Sequence, residues 1–319
     1  MDRSTLRSDS AERLIAGGES LGRTDAVMVR QGGQTLLELY GDGVDAASSL
    51  KSWSMAKSIL HAAVGLLVAE GRLDPDAPAN VPEWAGDGDA RGAITLWDLL
   101  RMRPGLAWNE DYVSGEGSDV IEMLFARDWQ PVADTGGFAA NKPLVAAPGS
   151  TLNYSSGTSN IVSRIVAGEV GRGNSYRNWL RESLFEPVGM ESADPQFDEV
   201  GTWIASSYCF CTTEDFARFG ELYLNGGKVG RLQVLDPAWV ASAAVPTGTD
   251  DEGNTHTAHW WTWDGGPQGA YRCSGYEGQY IIVVPSLDAV VVRLGKTETE
   301  LRHNVQAELN ELIAAIGEP

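Results

Sequence analysis

Apolar positions follow two rhythms along this chain, placing strands at both ends and helices between them. Ala26–Arg30 and Thr35–Tyr40 are short apolar-rich runs parted by Gln31-Gly32-Gly33-Gln34, a composition that turns a hairpin. Gln279–Val284 and Ala289–Leu294 flank Pro285-Ser286-Leu287-Asp288 and predict a second hairpin, followed by a helix from about Glu300 to Ile316. Between the hairpins, apolar residues at helical spacing predict helices over Ser54–Glu70, Leu96–Met102, Ser118–Ala126, Ser156–Val170, Tyr176–Leu184 and Thr213–Leu224. A helix-like stretch, Ala11–Ala16, precedes the first hairpin. The expected fold class is α+β: an antiparallel sheet completed by the two ends of the chain and flanked by helices, with a mainly helical insertion. The expected division is a discontinuous sheet subdomain, 1–52 and 235–319, a helical subdomain, 53–234, and an active site between them.

The helix predicted from Ser54 opens with Ser54-Met55-Ala56-Lys57. A serine at a helix start lies beside free backbone N–H groups and the positive end of the helix dipole. Lys57, three residues on, shares its face one turn away, close enough to take the hydroxyl proton. A serine hydroxyl is a poor nucleophile until a neighbouring base activates it, so this spacing points to a Ser–Lys acyl-enzyme. A second Ser-x-x-Lys, Ser48-Ser49-Leu50-Lys51, precedes no apolar helical run and reads as the loop leading in. By contrast, Ile59, Leu60, Ala63, Val64, Leu67 and Val68 continue the Ser54 helix to Gly71, which stands where a C-terminal cap belongs.

Two further segments carry chemistry. Tyr154, in Leu152-Asn153-Tyr154-Ser155-Ser156, is a candidate general base if a lysine ammonium lowers its pKa, and Ser156 can hydrogen-bond that ammonium. Ser274-Gly275-Tyr276-Glu277-Gly278 enters the strand Gln279–Val284, and a glycine-bracketed edge lets a substrate carbonyl approach the backbone. One N–H here, paired with that of Ser54, makes an oxyanion hole.

Charge and composition narrow the function. The 319 residues suffice for a large core or for two subdomains around one cleft. A formal net charge of −20 argues against nucleic acid and anionic membrane surfaces as partners. Met1–Thr24 is polar with no apolar signal region, and no window approaches a membrane span, so a cytoplasmic location is expected. Cys209, Cys211 and Cys273 are an odd set too tightly spaced for a zinc knuckle and are expected as reduced core thiols.

Several decoys are set aside. Gly18-Glu19-Ser20-Leu21-Gly22 fits a nucleophile-elbow pattern but lacks the strand before it and the helix after it. His61 reads as a packed residue of the Ser54 helix, and His256 and His259 as members of a polar loop without a third metal ligand. Neither a metal site nor a cofactor is expected. Asn153-Tyr154-Ser155 is a formal glycosylation sequon that overlaps the candidate base. Among 11 tryptophans, Trp108, Trp129, Trp203, Trp260, Trp261 and Trp263 are candidates to wall a cleft, with core packing the default for most.

Ser54-Met55-Ala56-Lys57, Tyr154-Ser155-Ser156 and the glycine-rich entry to a C-terminal strand occur in the order of the serine β-lactamase and penicillin-binding-protein-like hydrolases, which this chain resembles. Val64–Leu73, Leu99-Leu100-Arg101-Met102-Arg103-Pro104-Gly105-Leu106 and Thr212–Gly220 resemble other segments of that family. Within it the chain is most similar to the class C-like branch, with family VIII carboxylesterases and nylon-oligomer (6-aminohexanoate-oligomer) hydrolases. Trp108-Asn109-Glu110-Asp111-Tyr112 resembles the latter group, whose matching tyrosine positions the scissile amide.

The resemblance implies a β-lactamase/transpeptidase-like fold. It implies Ser54 as nucleophile, Lys57 as its proton partner, Tyr154 as general base and later acid, and the Tyr276 N–H in the oxyanion hole beside Gly275. Ser156 stands where class C lactamases carry asparagine, and Arg272-Cys273-Ser274-Gly275 shows no clear cation–hydroxyl pair to grip a carboxylate. Both departures favour small esters or simple amides over antibiotics. Glu110 and Tyr112 favour an aminohexanoate-type amidase, with the Glu110 carboxylate holding a substrate ammonium. Weak β-lactamase or D-peptidase activity and a silent binding protein on the same scaffold are the remaining readings. A small-molecule ester or amide is the expected partner, and monomer and homodimer both stay open.

Overall fold

The computed structural model describes residues 8–112, 117–125 and 129–317. Its main sheet has eight strands: β1 (Arg23–Gln31), β2 (Gln34–Tyr40), β3 (Gly248–Thr249), β4 (Thr255–His256), β5 (Trp261–Thr262), β6 (Tyr271–Gly275), β7 (Gln279–Val284) and β8 (Ala289–Lys296). The order across it is β2-β1-β8-β7-β6-β5-β4-β3. The two expected hairpins meet in its middle, where β1 pairs antiparallel with β8 from Arg23↔Lys296 to Gln31↔Ala289. The fold is therefore α+β, built on an antiparallel sheet as expected.

Burial explains why β8 is apolar almost throughout. Val290, Val292 and Leu294 pack into the larger core while Ala289 and Val291 pack into a second core, so alternate residues face opposite layers. Ile281 and Val283 of β7 join the first core, and Tyr280, Ile282 and Val284 the second. The larger layer includes α2 (Met55–Ala69), α3 (Ser156–Val170) and α4 (Thr213–Leu224). The smaller is covered by α1 (Asp9–Ala16) and α5 (Arg302–Ile316). Each core side chain removes apolar surface from water at about 25 cal/mol per Å². The helix α4 lies in the middle of the chain yet packs against β1, β7 and β8.

The predicted helices form with small shifts at their ends. The helix expected over Tyr176–Leu184 spans Asn174–Leu180 and then widens into a π turn, Arg181–Phe185. Asp119–Phe125 is helical, and Ala126 of the expected span lies outside the described residues. A helix at Thr135–Ala140 and the short strands β3 to β5 have no counterpart in the pattern reading, because so few residues carry too little periodicity. His256 and His259, expected in a polar loop, are buried at 0% and 2% exposure, His256 within β4. Their neighbour Trp260 is fully buried, and Trp261 begins β5. The three cysteines are free and buried. Among the described residues no helix is long and apolar enough to cross a membrane.

Candidate active site

Ser54 sits at the N-terminal boundary of α2 with φ −65° and ψ −6°. Its hydroxyl does not cap the helix, as a serine in that place ordinarily would. It accepts from Lys57 Nζ at 2.9 Å instead. The Lys57 ammonium, 2% exposed, also donates to Ser156 Oγ at 3.0 Å and to the Ser206 carbonyl at 2.9 Å. Burial pushes its pKa down to about 8, with the Glu110 carboxylate acting against that shift. Ser156 is brought there by α3, whose N-terminus is capped by Ser155 accepting from the Thr158 N–H at 2.9 Å.

Tyr154 lies just before α3, with its ring centroid 4.9 Å from Lys57 Nζ. Its pKa moves opposite to the expected direction. Burial, and then the negative charge of Glu110, hold the phenol above its ordinary value, and the Ser54 hydroxyl offsets only part of this. An ammonium against the ring face is an attractive contact, but it does not stabilise a phenolate oxygen as a direct hydrogen bond would. Tyr154 is thus a protonated phenol at neutral pH.

The Glu110 carboxylate is engaged by three protein donors. Its Oε2 accepts from the Ser156 N–H at 2.8 Å and from Trp108 Nε1 at 2.5 Å, and its Oε1 from Ser156 Oγ at 2.5 Å. Both oxygens thus accept from protein donors, and the carboxylate's charge acts on Lys57. Burial raises its pKa above the carboxylate range, opposed first by the Lys57 charge. Tyr112 stacks on Tyr276 at 4.4 Å and 19° between planes. Its phenolic oxygen is buried without a hydrogen-bond partner among the described residues.

Tyr276 follows β6, and Gly275 lets this strand end approach the segment that leads into Ser54. A Cβ on Gly275 would stand 2.6 Å from the Ser52 carbonyl oxygen, so only glycine allows this strand end against the chain leading into α2. The Ser54 N–H has no acceptor among the described residues. Behind the turn, Arg293 is fully buried and donates to the carbonyls of Arg23, Glu277 and Gly278 and to the hydroxyls of Thr24 and Thr297.

Ser54, Glu110, Tyr112, Tyr154, Gly275 and Tyr276 therefore line one cleft of about 540 Å³. Ser156 stands behind it on Lys57. Of the six candidate tryptophans, Trp261 lines the cleft, its ring 5.2 Å from Tyr154, and Trp108 backs Glu110. Trp203, Trp260 and Trp263 are core, and Trp129 is 80% exposed. Pattern reading missed the Ser206 carbonyl, Trp53 and Arg302. Ser206 and Arg302 reach the site through the fold alone, whereas Trp53 is next to Ser54 in the chain and carries no motif of its own.

Known proteins resemble this chain in sequence and in fold. Residues 17–315 match the family model described as Beta-lactamase. The 6-aminohexanoate-dimer hydrolase of Paenarthrobacter ureafaciens is 30% identical over 299 residues, covering 88% of this chain and 74% of that protein. Two solved structures share the fold. A penicillin-binding protein homologue from Caulobacter crescentus has a TM-score of 0.74 at 18% identity, covering 99% of this chain and 98% of that one. A family VIII carboxylesterase has a TM-score of 0.66 at 15% identity, covering 95% and 96%.

Proposed function

This chain belongs to the beta-lactamase family and is a hydrolase, and we propose that it cleaves small carboxylic esters or linear amides through a Ser54 acyl-enzyme. The observation that carries this is a buried lysine, pushed down to about 8, whose Nζ lies 2.9 Å from the Ser54 hydroxyl. A lysine poised near neutrality can take the serine proton, and one held at its ordinary value would remain charged.

In this reading neutral Lys57 accepts the Ser54 proton as Oγ bonds to the substrate carbonyl carbon. The oxyanion rests on the N–H groups of Ser54 and Tyr276. Protonated Tyr154 supplies its phenolic proton to the leaving alcohol or amine and is reprotonated from the Lys57 ammonium. Water then attacks the ester intermediate, loses a proton to Lys57, and Ser54 recovers its own as the acid leaves. Ser156 and Glu110 hold Lys57 in place. No metal or organic cofactor enters these steps. The cleft lies between the proposed sheet subdomain (1–52 and 235–319) and helical subdomain (53–234).

Intact-protein mass spectrometry after exposure to a fluorophosphonate tests the proposal. A single adduct on the wild type that is absent from Ser54→Ala is expected, together with loss of p-nitrophenyl ester turnover. An adduct or full turnover in Ser54→Ala would remove Ser54 from the mechanism.

One observation favours the amidase form of this reading. The buried Tyr112 phenol has no partner and lines the cleft, so it can accept from a scissile N–H, which an ester lacks. The Paenarthrobacter relative is named for an amide substrate, 6-aminohexanoate dimer.

A further inference from the structure

Lys51, the lysine of the second Ser-x-x-Lys, takes no part in the steps above. Ser48 of that motif turns back on its own loop, accepting from the Asp45 N–H at 3.0 Å and donating to Asp45 Oδ1 at 3.0 Å. Lys51 ends a two-residue strand, Leu50–Lys51, that pairs antiparallel with Cys209–Cys211. Its half-buried ammonium lies 3.4 Å from the centroid of the Trp53 ring and 4.3 Å from that of Tyr208. Among the described residues it forms no ion pair within 4.0 Å. Glu277, the carboxylate whose charge acts on it, is paired with Lys296 at 3.7 Å and accepts from Trp53 Nε1. Two aromatic faces are thus the direct contacts this charge makes with the described residues.

The two rings belong to different parts of the site. Trp53 precedes Ser54 and stands at φ 46°, a left-handed backbone that a tryptophan holds only when its surroundings impose it. Tyr208 follows Ser206, whose carbonyl accepts from Lys57 at 2.9 Å, by two residues. One turn fixes both, because the Ser207 and Tyr208 N–H groups donate to the Ile204 carbonyl at 3.1 and 3.0 Å. The backbones of the two segments are already laced together: the Ser52 N–H donates to the Cys209 carbonyl at 2.9 Å, and the Cys209 N–H to Ser52 Oγ at 3.1 Å. The Lys51 ammonium adds a side-chain bridge between the segment that carries Ser54 and the one that anchors Lys57. A cation is attracted to both ring faces, and more strongly where water is partly removed.

We propose that Lys51 is a positioning residue for the nucleophile: its ammonium, gripping Trp53 and Tyr208 together, holds the left-handed turn at Trp53 and so sets Ser54 against Lys57 and Tyr276. This rests on the Ser54 hydrolase reading. Lys51 is not among the residues that line the cleft, so it acts through Trp53 and not on the substrate. Acyl transfer tolerates little misplacement of the attacking oxygen, so a loosened grip costs rate and leaves affinity alone. The requirement is for positive charge on a ring face and not for a proton donor. Arginine meets it, because a guanidinium also stacks on aromatic faces, whereas methionine fills similar space without charge.

Hydrolysis of p-nitrophenyl acetate tests the role at pH 7, where the Lys51 ammonium, pushed down by burial to about 8, still carries its charge. Lys51→Met is expected to lower kcat about tenfold with KM little changed, and to slow fluorophosphonate labelling of Ser54 to the same degree. Lys51→Arg should recover most of both. Urea midpoints that agree between the two variants, with activity in the arginine variant alone, separate positioning from support of the fold. Wild-type kcat in Lys51→Met, a loss carried by KM, or an arginine variant as impaired as the methionine one overturns the proposal. Where Lys51→Met does not fold, Lys51→Gln, neutral but polar at this half-buried place, decides by the same comparison. Wild-type turnover separates the two readings. With turnover present and kcat unmoved in Lys51→Met, the positioning role fails and the hydrolase stands. With no wild-type turnover and no fluorophosphonate adduct, the hydrolase reading fails on its own account.

Discussion

Trp53 Nε1 donates to Glu277 Oε2 across 3.1 Å, joining the residue before Ser54 to the residue after Tyr276. Both sit in the left-handed region, Trp53 at φ 46° and Glu277 at φ 62°, a conformation that non-glycine residues hold only when their surroundings impose it. The Trp53 ring also meets Tyr276 edge to face at 5.3 Å. The two amides proposed to hold the oxyanion are therefore spaced by a side-chain tie between their strained neighbours.

Removing the tie should slow chemistry more than binding. Trp53→Phe keeps an aromatic ring but deletes the N–H, and kcat for an ester substrate is expected to fall about tenfold with KM little changed. Glu277→Gln retains an acceptor and should fall less. An unchanged kcat in Trp53→Phe would show that the tie does not position the amides.

Activity should rise with pH through a midpoint near the Lys57 value of about 8. The folded pKa lies below the ordinary lysine value, so the neutral base form is gained above about 8 and is scarce below pH 7. Glu110 opposes the burial shift, so Glu110→Gln should move the midpoint to lower pH while reducing kcat. A kcat/KM profile that is flat between pH 6 and 9 would contradict the assignment of Lys57 as base.

Tyr112→Phe separates amide from ester chemistry. Deleting its unpartnered phenolic oxygen should lower kcat/KM for a linear amide by about tenfold and alter that for a p-nitrophenyl ester much less. Equal losses on both substrates would return Tyr112 to a packing role against Tyr276.

Arg293→Met should destabilise the fold by about 3 kcal/mol, because it leaves the carbonyls of Arg23, Glu277 and Gly278 without their donor in a buried place. Urea denaturation measures the loss. Since the same guanidinium holds the turn after Tyr276, kcat should fall in the folded variant as well.

The sequence was legible where function depends on neighbours in the chain. Ser54 and Lys57 are one helical turn apart, so their meeting follows from the helix itself, and Ser156 opens α3 behind the Ser155 cap. Both hairpins and the long helices carried enough periodic positions to be read. The direction of the Tyr154 shift was not legible, because desolvation depends on what the fold packs around the ring. The Ser156 partner of Glu110 was not legible either, because it lies 46 residues further along the chain at the start of α3.

By itself the chain determined its α+β class and the helix that places Ser54 against Lys57. Those properties rest on local periodicity and on contacts within a few residues, which sequence spacing fixes. Tertiary structure alone decided which carboxylate acts on Lys57, which tryptophan lines the cleft, and that Arg272 and Arg302 line it too. Such contacts join segments far apart in the chain, so their geometry and their dielectric surroundings exist only once both cores have closed on the sheet.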